Sequence, residues 1–322
     1  MTILITGGAG FIGSNLASYF VNNNKNVIVF DNLSNSSRRN ISKLFELDNF
    51  TFKNVDLSNY QSFEDAIESL NINIDEIWHL AANSDIKSGS DNMDIDFRDT
   101  FQTTFNSLKI CKKFSIRKFF FASSSAIYGD FGESVIHEEI APLLPISNYG
   151  AMKLASEALI SSACETYLDI AYIFRFPNVI GIPATHGVIL DLLLKLKKDK
   201  SKLHVLGNGF QKKHFMHVND LISAMIFISK HSDQKINIYN IAQADEGVFI
   251  KDIVTFLIDH LGINVEIFYE KELKGWDGDV PVVNYSSLKL QKLGWTSSLN
   301  SEQSVKVAIS EIVNQASTHD YN

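Results

Sequence analysis

The 322-residue chain contains only two cysteines, Cys111 and Cys164, and they are far apart. Both lie within apolar helical patterns, and two isolated cysteines are too few for a disulfide framework or a zinc site. We expect buried thiols in a reducing compartment and no metal site. No apolar run approaches the roughly 20 residues of a membrane span, and no basic region or cleavage site precedes the first strand. These absences predict a cytoplasmic protein without membrane contact.

Positive charge is also scarce, because 29 Lys and Arg residues stand against 37 Asp and Glu residues, for a net charge of −8. A chain with this balance has no general field that would gather nucleic acid or anionic lipid. Internal repeats and low-complexity tracts are missing, which excludes a solenoid or a linker. A hydrophobic fraction of 45% describes an ordinary globular chain. Because one core stops growing near roughly 250 to 300 residues, we expect a large and a small lobe.

Short β-rich apolar runs alternate with amphipathic stretches over the first half of the chain. This alternation predicts an α/β fold, a doubly wound parallel sheet of the Rossmann type, with a second, smaller lobe. Residues 1–174 are assigned to the large lobe, to which 217–246 return, whereas 175–216 and 247–316 form the small lobe and 317–322 a tail. The predicted strands are 2–6, 26–30, 51–55, 76–80, 118–122, 170–174 and, in the returning segment, 236–241. The predicted helices of the large lobe are 11–21, 60–70, 96–114, 148–167 and 218–230.

The first predicted strand runs into a glycine-rich turn that opens the first helix, Thr6-Gly7-Gly8-Ala9-Gly10-Phe11-Ile12-Gly13. In this context a glycine cluster indicates dinucleotide binding. Gly7 and Gly8 permit a tight turn, Gly10 lets the backbone approach a pyrophosphate, and Gly13 lets the helix pack closely on the strand. The phosphates would lie at the helix N-terminus, where free N–H groups and the helix dipole favour negative charge.

Two acidic residues end the next strands. Asp31, 21 residues after Gly10, is placed to accept both ribose hydroxyls of an adenosine. The same carboxylate would repel a 2′-phosphate, which favours NAD, although Arg38 and Arg39 leave NADP open. Asp56 ends the third strand and either accepts the adenine amino group or serves as a turn residue.

Oxidation of an alcohol by hydride transfer needs a base for the hydroxyl proton, and Tyr149 with Lys153 meets this need. At spacing i, i+4 both side chains lie on one helix face. Lowering a tyrosine pKa from about 10 to about 7 requires about 4 kcal/mol. One cation at roughly 4 Å supplies about that much in an effective dielectric near 20. A second copy of the spacing, at Tyr285 and Lys289, has no partner motif.

The partner motif of Tyr149 is a serine-rich segment at the carboxyl end of the fifth strand, Ser123-Ser124-Ser125-Ala126-Ile127-Tyr128-Gly129. A doubly wound fold places ligands at this edge of the sheet. A serine hydroxyl there can donate to a substrate oxygen and bond the phenolate. The alternative interpretation is an ordinary serine-rich turn.

With these residues in place, the chain resembles the extended branch of the short-chain dehydrogenase/reductase superfamily, and within it the sugar-nucleotide epimerases and dehydratases. The resemblance runs from Ile3 to about Trp295. It rests on motifs that occur in the family's order: Thr6 to Gly13, Asp31-Asn32-Leu33-Ser34, His79-Leu80-Ala81-Ala82, the serine segment, Tyr149 with Lys153, and His217-Val218-Asn219-Asp220.

The resemblance implies that Tyr149 is the catalytic base, that Lys153 lowers its pKa and holds the nicotinamide ribose, and that Ser124 is the third catalytic residue. It implies an NAD site formed by Gly7, Gly10, Phe11, Ile12, Gly13, Asp31, Asn32, Asp56, Leu57, Leu80, Ala81, Ala82, Tyr149 and Lys153. The implied substrate residues are Ser84, Ser124, Ser125, Asn178 and Lys213.

Several positions depart from the family's pattern. Lys213 stands where an arginine usually clamps phosphate, and a lysine lacks the bidentate fork. Trp276 replaces a second customary arginine, and Thr100 stands where asparagine is common. The 4,6-dehydratases carry an acidic pair at the positions of Ser125 and Ala126, which argues against dehydration.

The expected activity is therefore NAD-dependent oxidation at C4 of a nucleotide-linked sugar, completed as 4-epimerisation when hydride returns to the opposite face. A dehydrogenase that releases the 4-keto sugar, a reductase and a 4,6-dehydratase stay open, as does a redox sensor without catalysis. Sequence alone does not name the nucleotide or the sugar. The family also forms homodimers through the helices predicted at 96–114 and 148–167, whose apolar faces equally suit a core. A homodimer is therefore expected.

Overall fold

The computed structural model describes residues 1–272, Val280 and residues 283–318. Trp276, singled out above, lies outside the described residues. In chain order the strands are β1 (Thr2–Thr6), β2 (Asn26–Asp31), β3 (Phe50–Asn54), β4 (Glu76–His79), β5 (Lys118–Ser124), β6 (Val135–Ile136), β7 (Ile170–Phe176), β8 (Asn178–Ile180), β9 (Lys202–Val205), β10 (Lys212–Lys213), β11 (Phe215–His217), β12 (Ile236–Asn240), β13 (Val248–Phe249), β14 (Glu266–Tyr269) and β15 (Asn284–Tyr285).

The α-helices are α1 (Phe11–Asn22), α2 (Tyr60–Glu68), α3 (Ile86–Asp91), α4 (Met93–Asp96), α5 (Thr103–Phe114), α6 (Asn148–Cys164), α7 (Val188–Lys198), α8 (Val218–His231), α9 (Ile250–Leu261), α10 (Leu288–Leu293) and α11 (Ser301–Thr318). A π-helical turn, Phe97–Gln102, joins α4 to α5, and 3₁₀ turns lie at Arg38–Glu46 and Ser125–Ile127. None of the helices in these described ranges is both long and apolar enough to cross a membrane.

The first compact unit comprises Met1–Gly129, Ala141–Phe176 and Met225–Tyr239. In the described part of the chain its sheet has seven strands, in the order β12-β7-β5-β4-β1-β2-β3. Neighbours from β7 through β3 pair in parallel. The prediction of a doubly wound α/β fold is confirmed. The chain runs outward from β1 to β2 and β3 on one side and then returns to add β4, β5 and β7 on the other side, so the sheet's switch point lies at the carboxyl ends of β1 and β4.

Both faces of this sheet are buried, as parallel sheets require. On one face Trp78 stacks on Phe120 with ring centroids 3.9 Å apart, and Phe120 stacks on Tyr172 at 4.6 Å. On the other face Phe119 and Phe121 pack into a cluster with residues of α2, α5 and α6. The side chains of β5 alternate between the two faces of the sheet. Helices therefore pack on both sides of the strand that leads into the serine segment.

The second unit comprises the described parts of Asp130–Ile140, Pro177–Ala224 and Asn240–Asn322. Its core is formed by apolar faces of α7, α9 and α11, with Leu203 and Phe215 among the buried side chains. Trp295 is also buried here, and its Nε1 donates to Ser223 Oγ at 3.2 Å. Two-stranded pairs surround this core: β10 with β13, β11 with β8, β14 with β9 and β15 with β6.

Apart from a shift of two residues, which brings Arg175 and Phe176 into the first unit, the boundaries of the units differ from the predicted ones in two places. The returning segment is Met225–Tyr239 rather than 217–246, and Asp130–Ile140 lies in the second unit although the sequence placed it in the first. The cause of the second difference is the pairing of β6 with β15, a two-residue contact between segments distant in sequence. Helix α11 extends to Thr318, so the predicted tail at 317–322 begins within a helix.

Candidate active site

The turn between β1 and α1 has no room for a side chain at Gly7 or at Gly13. Gly7 has a φ of +69°, and a Cβ there would lie 2.6 Å from the backbone nitrogen of Ala81. A Cβ on Gly13 would lie 2.2 Å from Gly7 O and 2.7 Å from Gly8 Cα. Gly13 therefore packs against the turn, whereas the sequence predicted contact with the strand. The start of α1 and the segment after β4 therefore both pack against the turn that follows β1.

The N-terminus of α1 is open to an anion. Gly10 is the N-cap residue, no side chain caps this end, and the first turn carries no acidic residue. A Cβ on Gly10 would approach only Gly7 O, at 3.3 Å, so this position is less enclosed than Gly7 or Gly13. The cradle fits a pyrophosphate, because the N–H groups of the first turn have no partner within the helix. Phe11 and Ile12 lie in that turn.

Asp31 ends β2 and is 7% exposed. Its Oδ1 accepts hydrogen bonds from Leu33 N at 2.8 Å and Ser36 Oγ at 2.7 Å, and its Oδ2 accepts one from Ala9 N at 3.0 Å. A carboxylate has about four acceptor positions. Asp31 therefore fixes the glycine turn and keeps capacity for a further donor, as a ribose hydroxyl would be. Asn32 beside it is exposed.

One of the two arginines that left NADP open has side-chain partners of its own. The guanidinium of Arg38 lies 4.7 Å from the ring centroid of Phe45 and 5.4 Å from that of Phe52, within cation–π range. The backbone nitrogen of Arg39 donates to Ser37 Oγ. Arg38 is therefore engaged by two rings at the edge of β3.

The third strand ends in a turn made by Asp56. Its Oδ1 accepts the backbone N–H of Ser58 at 3.0 Å and the Ser58 hydroxyl at 2.7 Å. This geometry fulfils the turn role that the sequence offered as an alternative to adenine recognition. Leu57 next to it is buried, and its carbonyl accepts from Asn106 Nδ2 at 2.9 Å.

The segment after β4 completes the switch point. Leu80 N donates to Thr6 O at 3.0 Å, which continues the β1–β4 ladder, and half-buried Ala81 and Ala82 follow. His79 before them is fully buried, and burial lowers its pKa to about 3. Ser84 is exposed. The neutral His79 ring contacts hydroxyl groups of β1 and α5, so its role is to join these elements.

The serine segment and α6 bring Ser124, Tyr149 and Lys153 to the carboxyl end of β5. Ser147 caps α6 by accepting from Gly150 N at 3.1 Å, which places Tyr149 in the first turn. Tyr149 shares a side-chain hydrogen bond with Ser124. Lys153 Nζ donates to Ala122 O at 2.6 Å and lies 5.6 Å from the Tyr149 ring centroid. The three predicted catalytic side chains therefore form one cluster, with half-buried Ser125 beside it.

The pKa values in this cluster shift in the direction opposite to the one that the sequence argument required. Burial raises the pKa of Tyr149 to about 12, although the Ser124 hydrogen bond opposes the rise. Burial also lowers the pKa of Lys153 to about 7. The Coulomb argument assumed a full ammonium charge, but the amine of Lys153 is itself desolvated. Without the cofactor, Tyr149 is a neutral phenol at neutral pH.

A buried acidic residue near this cluster escaped the sequence analysis. Asp96 is fully buried at the end of α4, and its Oδ1 accepts from Asn83 Nδ2 at 2.8 Å. Its Oδ2 has no hydrogen-bond partner among the described residues, and a Cβ on Gly89 would lie 2.0 Å from it. Burial raises the pKa of Asp96, and its charge in turn raises the pKa values of Tyr149 and Lys153. An acid at a predicted helix start gives no signal of such burial.

Thr100, noted above as a departure, lies in the π-helical turn and is fully buried. Its Oγ1 accepts from Asn83 N at 3.1 Å. Thr100 therefore orders the segment that follows Ala82.

The predicted substrate residues Asn178 and Lys213 lie in the second unit. Asn178 Nδ2 donates to His214 O at 3.2 Å, and β8 pairs with β11 from this residue onward. Lys213 is half-buried in β10, opposite Val248. His214, which the sequence did not single out, is buried, and its Nδ1 lies 3.4 Å from Asp245 Oδ1.

The second Tyr-x-x-x-Lys spacing is not a helical pair. Tyr285 belongs to β15 and Lys289 to α10, so the two do not share a helix face. Within residues 1–272 and 283–318, no three His, Cys, Asp or Glu side chains are grouped so that they could hold a metal ion.

An anion cradle at the switch point of a parallel sheet, with a serine, tyrosine and lysine at the end of a neighbouring strand, is typical of nucleotide-cofactor-dependent oxidoreductases of the short-chain type. Residues 3–242 match the family described as "NAD dependent epimerase/dehydratase family". The chain belongs to this family.

Solved structures and curated proteins agree with this assignment. A UDP-galactose 4-epimerase structure is 30% identical, with a TM-score of 0.85, 98% of this chain and 99% of that chain covered. The Thermus thermophilus UDP-glucose 4-epimerase in complex with NAD is 25% identical, with a TM-score of 0.84 and coverage of 97% and 99%. The human dTDP-D-glucose 4,6-dehydratase is 24% identical over 324 residues, 95% of this chain and 88% of that protein.

The predictions of an NAD-dependent enzyme and of the sugar-nucleotide epimerase family are confirmed by these comparisons. The role of each site residue stays a prediction.

Proposed function

We propose that the protein is a UDP-sugar 4-epimerase in which the first unit holds NAD and carries the catalytic residues and the second unit binds the nucleotide sugar. The observation that carries this proposal is the cluster of Ser124, Tyr149 and Lys153 on the same sheet as the glycine cradle. The 4-epimerases among the similar structures support it, because they extend over nearly the whole chain.

In this proposal Tyr149 takes the proton of the sugar's C4 hydroxyl while the C4 hydrogen leaves as hydride, so a 4-keto sugar forms. Ser124 donates a hydrogen bond to the C4 oxygen, and Lys153 in its ammonium form stabilises the phenolate. When bound, NAD would accept the C4 hydride and give it back, and its oxidised nicotinamide would add a positive charge to the site. Return of the proton from Tyr149 with hydride on the opposite face completes the inversion.

The residues that would hold NAD are those of the cradle and its rim. The first turn of α1, with Gly10, Phe11, Ile12 and Gly13, takes the pyrophosphate. Asp31 takes a ribose hydroxyl, and the turn at Asp56 and Leu57 borders the adenine. Leu80, Ala81 and Ala82 pack along the dinucleotide, Lys153 holds the nicotinamide ribose, and Asn32 lines the rim.

The proposed substrate residues are those that the resemblance implies. Ser84, Ser124 and Ser125 contact the sugar, whereas Asn178 and Lys213 bind the diphosphate. Lys213 attracts the diphosphate as a point charge, without the two parallel hydrogen bonds that an arginine gives.

A 4,6-dehydratase is the second candidate because the human relative has that activity. Elimination of water needs its own acid and base. Ser125 and Ala126, which stand at the relevant positions, supply neither, and this favours epimerisation.

Incubation of the purified protein and NAD with UDP-glucose, UDP-N-acetylglucosamine, UDP-glucuronate or dTDP-glucose is expected to convert a UDP sugar to its C4 epimer. Because the hydride returns in each cycle, reduced cofactor does not accumulate. Chromatography of the sugars and absorbance of the reduced cofactor measure both quantities. A released 4-keto sugar with equal reduced cofactor would identify a dehydrogenase, and a 4-keto-6-deoxy product a dehydratase. No change of any sugar would refute the proposal.

We also propose a homodimer formed through α6 and the segment 96–114, which comprises the π-helical turn Phe97–Gln102 and α5. Phe97, Phe101 and Phe105 recur at every fourth residue, and Phe97 and Phe105 are 49% and 46% exposed. An apolar stripe of this kind on a monomer marks an interaction surface. Two buried, unpaired cysteines also support a cytoplasmic location, and nucleotide-sugar chemistry supports a role in carbohydrate biosynthesis.

The variant Phe97→Glu/Phe105→Glu is expected to halve the molar mass in solution, because two charges in an apolar interface cannot be solvated. Light scattering during gel filtration measures the mass. Phe210→Glu is the matched control, since Phe210 is 54% exposed in the second unit and should leave the dimer intact. A wild-type monomer, or a double variant that remains dimeric, would contradict this interface.

A further inference from the structure

We propose that Glu157 and Arg175 are positioning residues for the reaction: their buried ion pair holds both ends of the serine segment and places a carboxylate one helical turn from Lys153. The inference rests on the proposed function, for which Ser124 and Lys153 are needed.

The ion pair lies beneath the catalytic cluster. Arg175 Nη2 donates to Glu157 Oε2 at 2.7 Å and Arg175 Nε donates to Glu157 Oε1 at 3.1 Å, so the contact is bidentate. The residues are 6% and 5% exposed. Glu157 lies one helical turn after Lys153 on α6, and Arg175 in β7 pairs with Ser123 in β5.

The pair reaches the serine segment on both sides of Ser124. Ser123 Oγ donates to Glu157 Oε1 at 2.5 Å, and Arg175 Nη1 donates to Tyr128 Oη at 2.8 Å. Between these anchors Ser124 has an extended backbone, and its Oγ accepts from Ala126 N. The six-residue segment from Ser123 to Tyr128 is therefore fixed at its two ends by one buried network. Loss of either anchor would let Ser124 move relative to Tyr149.

The charge of Glu157 acts on Lys153. A buried ion pair is weak as a device for stability, because desolvation offsets the attraction. The carboxylate, however, raises the pKa of Lys153 against the lowering caused by burial. Without Glu157, the pKa of Lys153 falls further, and the ammonium is lost at lower pH. Lys153 would then stop stabilising the phenolate at a lower pH than in the wild type.

The test uses two kinds of variant of the full-length protein. Ser123→Ala and Tyr128→Phe each remove one anchor and keep the ion pair, and each is expected to lower kcat about tenfold, the equivalent of one hydrogen bond to a charged group. Glu157→Gln/Arg175→Met removes both charges together, because Glu157→Gln alone would leave an unpaired buried cation. Glu302→Gln, which breaks the exposed pair with Lys306, is the matched control for loss of a carboxylate.

Two measurements are made on the same samples. The first is an NMR titration of isotope-labelled lysine, with the Lys153 signal assigned by its loss in Lys153→Met. The second is the pH dependence of kcat with the UDP sugar. In the charge-free variant the Lys153 midpoint is expected to move to lower pH, and the kcat ratio of variant to wild type is expected to fall at least tenfold between about pH 6 and pH 9. The control should change neither.

An unchanged Lys153 midpoint would refute the effect on Lys153, and unchanged kcat in both Ser123→Ala and Tyr128→Phe would refute the anchoring. If the charge-free variant does not fold, these two anchor variants and the conservative Arg175→Lys decide the matter. Arg175→Lys keeps the charge but loses the second hydrogen bond, so it should lower kcat without moving the Lys153 midpoint. An inactive wild type would instead refute the proposed function, and the titration would still decide the effect on Lys153.

Discussion

Replacement of Tyr149 by Phe is expected to reduce epimerisation about 10²- to 10⁴-fold, the usual contribution of a positioned general acid and base. The variant removes the phenol oxygen that would take the C4 proton and leaves the ring in place on α6. The affinity for NAD should change little, because the glycine cradle follows β1, whereas Tyr149 lies near the end of β5. Product formation by chromatography and NAD binding by fluorescence titration measure the two quantities.

Tyr285→Phe is the control, since Tyr285 has the same spacing to a lysine but lies in a strand. It should retain wild-type turnover. If Tyr149→Phe turns over the sugar as fast as the wild type, Tyr149 is not the base.

The pKa values predict how wild-type activity depends on pH. Catalysis needs Tyr149 without its proton and Lys153 with one. In the cofactor-free protein the pKa of Tyr149 is about 12 and that of Lys153 about 7, so this pair of forms is scarce at every pH. Rising pH favours the phenolate but removes the ammonium. We therefore expect a bell-shaped profile of kcat/KM, whose two limbs belong to the coupled pair.

Replacement of Gly7 by Ala is expected to remove NAD binding and to lower the free energy of unfolding by about 2–5 kcal/mol. The loss combines about 1–2 kcal/mol for a left-handed backbone and about 1–3 kcal/mol for overpacking. The overpacking arises because the new Cβ would lie 2.6 Å from Ala81 N and 2.8 Å from Ala81 Cα. Urea unfolding and NAD titration measure both effects.

Gly262→Ala separates the two causes. Gly262 has a φ of +61°, close to the +69° of Gly7, but within the described part of the chain no neighbouring atom lies within 4 Å of its would-be Cβ. It should lose only the backbone contribution of about 1–2 kcal/mol and bind NAD normally. Equal losses in the two variants would show that the contact with Ala81 is unimportant.

Local patterns predicted most of the fold. The six strands of the large sheet that the alternation indicated lie within two residues of their predicted ends. In β1, β2, β4, β5 and β7 the apolar runs are almost entirely buried, whereas β3 at the edge of the sheet is only partly buried. The pairing of β6 with β15 could not be predicted, since two-residue strands carry no periodicity. Helix α6 was predicted to Tyr167 but ends at Cys164, within the usual uncertainty of helix ends.

The site was predictable where a motif forces a backbone shape or a helix spacing. The positions of Gly7 and Gly13 and the meeting of Ser124 with Tyr149 follow from such local rules. The burial of Asp96 and the ion pair of Glu157 with Arg175 arise from tertiary packing, which no single segment encodes. The pKa of Tyr149 in the cofactor-free protein moves opposite to the expected direction for the same reason, because the fold buries the phenol and removes its water.

The positions of the tryptophans allow the unfolding of each unit to be followed by fluorescence. Trp78 lies in the aromatic stack of the first unit and Trp295 in the core of the second, and each is at least 94% buried. With Trp276 replaced by Phe, removal of either remaining tryptophan leaves fluorescence from one unit alone. Unfolding curves of the two single-tryptophan proteins would then show whether NAD stabilises the unit that carries the glycine turn, the other unit, or both to the same degree.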